Sequence, residues 1–527
     1  MQTMKKAIWI LIVVSIVLSI VFFRYILNPD KNLMNRKDVT SESAPAEDPF
    51  VFTLPEPLQN KSSWNDFPGW ELADIPVPAD FNWKKYNGTT LNFIVENNIH
   101  ANILTKESQK FTEETGIQIN IRPMDYNTML EKISLDLITQ RNKYQLIYVD
   151  PYQTLNRFHN DLEDLDVYTS RSDLPQIPGG LEDFNPEHTR VLSYFANEER
   201  LLAIPFDTTT MILFYRQDIF DKYRDDFMLA KGYDWTPGEN EITWDQYIEI
   251  SEWITDNVPK DEVRYGSAQM AQSHNSLYCD FSNIMAAYGA NYFGDAAVST
   301  YGIDIPTEVT INTPEFRRAL EAYQRIVLAG APASLEWNWF DTAEAFMNGE
   351  LAMMANWDEN WAAVENPSIS KVSGQVGYSV LPTGSHRSGN IFGGSGIGIN
   401  KYASQLEKEA AWLFIVWATS PKTELTVFVE PQGGNVPSRQ SLYKNILSSE
   451  ILDDKPGDFG NSVLQFSAVV SAWQPENIYF RPKIKVFYEI EMTIIEELRS
   501  MLTTEQNPAD TAEIMQDKIE QIIRRHR

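Results

Sequence analysis

An uncharged apolar run from Ala7 to Phe23 follows Lys5 and Lys6 and stops at Arg24. Its 17 residues meet the short end of the length a spanning helix needs, and tilt or snorkelling of Lys6 and Arg24 makes up the rest. The segment reads as a cleaved secretory signal or as an uncleaved anchor. Phe22-Phe23-Arg24-Tyr25 is bulky where a cleavage site needs small residues, and no cysteine follows for lipid attachment, so the anchor is the expectation. Basic residues on the leading side put the N-terminus of residues 1–27 in the cytoplasm and the remaining chain at the extracytoplasmic face of the cell membrane. Residues 28–87 are rich in Pro and acidic residues, as in Leu54-Pro-Glu-Pro57, which defeats both helix and ladder bonding and gives an extended stalk. Trp64, Phe67, Trp70 and Trp83 imply that its later half packs on the body.

Further on, the apolar period switches between two and 3.6. Residues 90–95 read as a strand, 103–115 as a helix closed by Gly116, and 117–121 as an alternating strand, together a βαβ unit. A helix at about 126–141 and an apolar strand at 145–149 follow, ending at Asp150-Pro151. Strands alternating with helices predict an α/β chain with mostly parallel sheets, whose ligands sit beyond the carboxyl ends of strands. Residues 201–207 and 211–215 read as two strands joined only by Thr208-Thr-Thr210, which suits a chain crossing between two lobes with Asp207 and the threonines facing the gap. After Asp218 opens an amphipathic helix, further helices are predicted at about 314–328, 342–347, 405–419 and 488–501.

Charge narrows the function. Lys and Arg number 44 against 73 Asp and Glu, a net −29 over 527 residues, so the surface repels phosphate backbones and nucleic acid is excluded as a partner. The single cysteine, Cys279, excludes an internal disulfide and a Cys-based zinc cluster and reads as a buried small hydrophobe. Aromatic residues make up 12% of the chain, which serves large cores and equally serves clefts that stack sugar rings. The six histidines form no H-E-x-x-H, there is no G-x-x-x-x-G-K-[ST], and Gly393-Gly-Ser-Gly-Ile397 lacks the last glycine of a nucleophile elbow. Gly394-Ser-Gly-Ile-Gly398 misses dinucleotide spacing, so neither cofactor nor metal is expected.

Four segments in order carry a family resemblance: Phe111-Thr-Glu-Glu-Thr-Gly-Ile-Gln-Ile119; Ala203-Ile-Pro-Phe-Asp207 running to Tyr215-Arg-Gln-Asp218; Ala345-Phe-Met-Asn-Gly-Glu-Leu-Ala-Met-Met-Ala-Asn-Trp357; and Leu381-Pro-Thr-Gly384 with Phe392-Gly-Gly-Ser-Gly-Ile-Gly-Ile-Asn400 and Ala410-Ala-Trp-Leu-Phe414. Across roughly residues 88–527 the chain resembles the extracellular solute-binding proteins of bacterial ABC importers, in the sugar-binding group that includes maltose-binding protein. That resemblance implies a two-lobed, periplasmic-binding-protein-like fold of type II, each lobe a mostly parallel sheet flanked by helices. It implies a first lobe of 88–207 and 391–432 and a second of 208–390 and 433–527. It also implies a monomeric globular part that captures a carbohydrate, closes around it and delivers it to permease subunits, with no catalysis. Two departures stand out: an anchor and stalk in place of a lipidated or cleaved N-terminus, and a longer chain.

Sugar recognition needs flat apolar faces beside carboxylates or amides. The resemblance and the strand ends nominate Trp357, with Trp361 as its rival, then Asp207, Asp150 and Tyr152. Gly393, Gly394 and Ser395 offer backbone donors that approach a ligand closely. Tyr278 and Asp280 lie where the family often makes another contact. A secreted glycoside hydrolase, which needs two carboxylates across a cleft, and a membrane-tethered sugar sensor on the same fold are the alternatives.

Overall fold

The computed structural model describes residues 75–527, apart from 198, 239, 240, 300, 430–435 and 444–460. The apolar run 7–23 and the stalk as far as residue 74 lie outside the described residues, and no described helix is long and apolar enough to cross a membrane. The described strands are β1 (Thr90–Glu96), β2 (Gln118–Met124), β3 (Leu146–Val149), β4 (Ile204–Asp207), β5 (Met211–Arg216), β6 (Tyr265–Ala268), β7 (Leu351–Trp357), β8 (Val376–Ser379), β9 (Asn390–Ile391), β10 (Ser395–Ile399) and β11 (Ile478–Tyr479).

They form a five-stranded sheet in the order β2-β1-β3-β10-β4, a four-stranded sheet in the order β6-β7-β5-β8, and the pair β11-β9. β1 runs parallel to β2 and to β3, whereas β10 is antiparallel to both β3 and β4. In the second sheet β6 and β7 are parallel and β5 is antiparallel to β7 and β8. Each sheet therefore has one reversed strand. The reason is connectivity: β5 follows β4 across Thr208–Thr210 and β10 follows β9 across Phe392–Gly394, so each enters its sheet from the edge where the parallel strands end.

Local chemistry moves some predicted boundaries. The first helix begins at Ile99, ahead of the predicted 103, because Asn98 accepts the Ala101 N–H at 2.9 Å; it ends at Gly116, whose φ of 74° suits glycine. The helix expected at 342–347 starts at Trp339, where Asn338 and Asp341 cap each other's backbone in a capping box.

Two hydrophobic cores lie under the sheets. The first joins β1, β3 and β4 to the helix Gln405–Ala418, with Phe414 meeting the rings of Phe93 and Phe111 edge-on at 6.1 and 5.4 Å. Ile75, Phe81 and Trp83 pack on this core, and the Tyr86 hydroxyl donates to Glu409. The second surrounds β5 and β7 with the helices Trp244–Asn257, Asn275–Ala287, Pro314–Ala329 and Phe487–Thr503. Phe414 is fully buried, and removing a buried aromatic ring costs transfer energy and leaves a cavity. Phe414→Ala should lose about 3–5 kcal/mol, read as a lower urea midpoint with an unchanged slope.

Candidate functional site

Strands of both sheets, β1, β3, β4 and β7, end at one cavity of about 340 Å³, within the range of about 300–1,000 Å³ typical of small-molecule sites. Glu96 ends β1, Tyr148 and Asp150 close β3, Asp207 ends β4, and Ser395 begins the reversed β10. From the second sheet come Trp357, at the end of β7, and Glu359 and Asn360 just beyond it. Trp339, Phe340, Ala343 and Met347 line it from the helix Trp339–Met347, and Asn275 and Arg481 complete that wall. Parallel α/β sheets place their strand ends at such crevices.

The cavity floor is where the chain crosses between sheets. Thr210 and Phe392 form an antiparallel bridge, and the Gly393 N–H donates to Thr209 O at 2.8 Å. Asp358, fully buried, accepts the Thr209 hydroxyl and the Thr210 N–H, each at 2.7 Å, and so ties the crossing to the end of β7. A Cβ on Gly393 would stand 2.7 Å from Thr209 Cγ2 and 2.8 Å from Trp357 Cζ3, so only glycine fits beneath the indole. Of the three threonines only Thr209 lines the cavity. The hydroxyls of Thr208 and Thr210 donate instead to Val436 O and Ile391 O, at 2.9 and 2.8 Å.

Asp207 is 1% exposed. Its Oδ2 accepts the Tyr148 hydroxyl at 2.6 Å and the Asn98 amide at 3.1 Å, while Oδ1 has no hydrogen-bond partner among the described residues. Asp150 Oδ1 accepts the N–H groups of Tyr152 and Gln153 at 2.8 and 2.7 Å, and Oδ2 the Tyr126 hydroxyl at 3.2 Å. The Arg481 guanidinium lies 4.2 Å from the Tyr152 ring centre, donates to Cys279 Sγ at 3.2 Å, and acts electrostatically on Asp150 and Glu491. Burial raises the acids in and around the cavity: Glu96 to about 8, with Asp207 and Asp150 adding to the effect, and Asp358 and Glu491 each to about 7. Asp207 and Glu359 are raised for the same reason, Glu359 with help from the Asp207 and Glu96 charges. Among the described residues no group of three or more His, Cys, Asp or Glu could hold a metal ion.

Of the residues the sequence nominates, Trp357, Asp207, Asp150, Gly393, Gly394 and Ser395 come together on the cavity wall. Gly393 is no free donor, since its N–H belongs to Thr209 O. Tyr152 lies one layer back, its ring under Arg481 and its hydroxyl on Phe392 O at 3.2 Å. Trp361 is half-buried against the second core and does not line the cavity, because β7 carries the chain no further than Trp357 before the turn. Tyr278 is packed between Tyr292 and Phe487, and Asp280 accepts the Met270 N–H at 3.1 Å and the Tyr323 hydroxyl at 3.0 Å, so both face the second core instead of the cavity. Cys279 is buried and free. Glu96, Tyr126, Tyr148, Trp339, Glu359 and Arg481 also line the cavity without having been nominated. Glu96 had a signal, since it ends a strand as Asp150 does; Arg481, in an irregular segment, had none.

The raised acids fix a pH dependence. The folded state holds protons on Glu96 that an unfolded chain releases near its ordinary 4.5, so this group's contribution is intact below 4.5 and lost as pH rises toward 8. Glu96→Gln should therefore raise the melting temperature relative to the parent by an amount that grows from pH 5 to 8 and levels off above. Thermal unfolding across that range checks it.

Residues 97–424, more than half of the chain, match the bacterial extracellular solute-binding protein family. A probable amino-acid ABC transporter periplasmic-binding protein of Sinorhizobium fredii is 21% identical over 444 residues, covering 84% of this chain and 91% of that protein. Among solved structures, an ABC transporter solute-binding protein of Agrobacterium radiobacter in complex with ribitol superposes with a TM-score of 0.66 at 23% identity, over 83% of this chain and 99% of that one. Maltose-bound T. maritima MalE3 gives 0.65 at 22% identity, over 82% and 100%. These share the two-lobed periplasmic-binding-protein-like fold. The chain belongs to the bacterial extracellular solute-binding proteins, the extracytoplasmic ligand-capturing components of ABC importers.

Proposed function

We propose that the chain captures a carbohydrate, a mono- or oligosaccharide or a sugar alcohol, in this cavity and delivers it to an ABC-type import permease. The observation that carries the reading is that the Trp357 indole and the Asp207 carboxyl, whose Oδ1 has no described partner, line one cavity. An indole suits the C–H face of a pyranose or polyol, and a carboxyl oxygen suits a hydroxyl donor. The ribitol and maltose bound by the two solved structures are ligands of this chemistry. An amino acid, suggested by the name of the Sinorhizobium relative, fits less well. Among the described lining residues the one cation is Arg481, and its charge already faces Asp150 and Glu491, leaving an α-carboxylate among like charges.

Closure about the crossing segments would bury the ligand, and binding then shifts the population toward the closed form. The lobes in this reading are 88–207 with 391–432 and 208–390 with 433–527, and residues 1–27 hold the receptor to the membrane. A mature N-terminus beyond Leu27 would remove the anchor without touching the binding site.

A thermal-shift screen against sugars and polyols tests the ligand class. A ligand at 100 times its dissociation constant adds about 2.7 kcal/mol of stability. Trp357→Ala and Asp207→Asn should each weaken the hit about tenfold or more, as loss of an aromatic face or a charge-assisted hydrogen bond predicts. A shift with amino acids or peptides and none with sugars overturns the carbohydrate class, and release of reducing ends from oligosaccharides overturns the receptor role.

A further inference from the structure

The cavity's charge is out of balance. Glu96, Asp150, Asp207 and Glu359 line it against the single guanidinium of Arg481. Arg481 and Asp150 serve one another, and Asp150 has three further hydrogen bonds of its own. The other three acids come from three separate elements, the ends of β1 and β4 and the turn after β7, so they are no solvated acidic run along one helix. Two of their oxygens are buried without a described partner: Asp207 Oδ1, on a side chain 1% exposed, and Glu359 Oε2. Tyr126, Trp339 and Trp357 supply aromatic surface around them, and aromatic faces attract cations.

We infer that the ligand presents a cationic nitrogen to Glu96, Asp207 and Glu359, as a sugar or sugar alcohol bearing a free amine does. The inference rests on the proposed carbohydrate reading for the ligand's body and on the cavity's charge for its nitrogen. A bare metal ion is not the fit, because no three of the described acidic, imidazole or thiol groups are placed to ligate one. A neutral sugar would satisfy the free oxygens one hydroxyl at a time and bring no charge to the acids. An ammonium brings a positive charge and three N–H donors to the same oxygens.

Proton balance gives a second readout. The groups facing the three acids are Asp125, Asp150, Asp358 and the Tyr148 hydroxyl; burial raises all three acids, and Glu96, pushed up to about 8, holds its proton at pH 7 before binding. Seating an ammonium beside a carboxylic acid forms an ammonium–carboxylate pair and releases that acid's proton to the buffer; a neutral sugar releases none.

Calorimetry on the full chain at pH 7 decides, using glucosamine, glucose and N-acetylglucosamine as one set and 1-amino-1-deoxysorbitol, sorbitol and ribitol as another. The amine should bind tenfold or more tightly than its neutral partners, with an apparent enthalpy that changes between buffers of different ionisation enthalpy. Glu359→Gln and Asp207→Asn should each remove most of that preference. Neutral partners binding as well as the amines overturn the cationic nitrogen and leave the carbohydrate reading standing. Binding of choline or putrescine with no sugar of either kind overturns the carbohydrate reading and keeps the cationic nitrogen, and binding of none of these probes overturns both.

Discussion

The two strands that cross between the sheets are hydrogen-bonded to each other under the cavity, and the site depends on that contact. Thr210 bridges Phe392, Gly393 donates to Thr209, and Asp358 fastens the pair to the end of β7. Asp207, Trp357 and Ser395 each stand within two residues of this knot. Their positions follow from it more than from their own packing. It also explains the reversed strand in each sheet: β5 and β10 leave the knot in opposite directions, and each must run away from the edge at which its neighbours end.

Around the knot the protein buries acids without matching cations. Isolated buried carboxylates are costly, and proteins answer by pairing them or by holding them protonated. Both answers occur here. Asp150 and Glu491 share the field of Arg481, whereas burial raises Glu96, Asp207 and Glu359, and neighbouring acid charges add to the effect on Glu96 and Glu359. Acids raised by burial and lining a cavity are candidates for a functional site. A ligand that supplies hydrogen-bond donors completes groups that the fold leaves open.

Much of this was legible in the sequence because periodicity and strand ends are local. The 90–95 and 145–149 strands, the 314–328 and 405–419 helices and the acids after β3 and β4 follow from pattern alone, and the observed elements differ by a few residues at caps set by Asn98 and Asn338. The ordered segments reached further and brought Trp357 and Gly393 to one wall. What was not legible depends on contacts between distant residues. Tyr278 and Asp280 look like site residues by position, yet Tyr323, Tyr292 and Phe487 turn them into the second core. Arg481 enters from more than 300 residues beyond Tyr152, the ring it stacks on, and no short-range signal announces it.

In the proposed function one cavity, floored by the paired crossings, holds a polyhydroxylated ligand against an indole and a buried acid. A crystal structure of the chain with its tightest-binding sugar or polyol tests this most directly. The ligand's carbon face should lie on Trp357 and a hydroxyl or amine on Asp207 Oδ1, with the Thr209–Gly393 hydrogen bond retained. A ligand seated elsewhere, or one in the cavity that touches neither Trp357 nor Asp207, would contradict it.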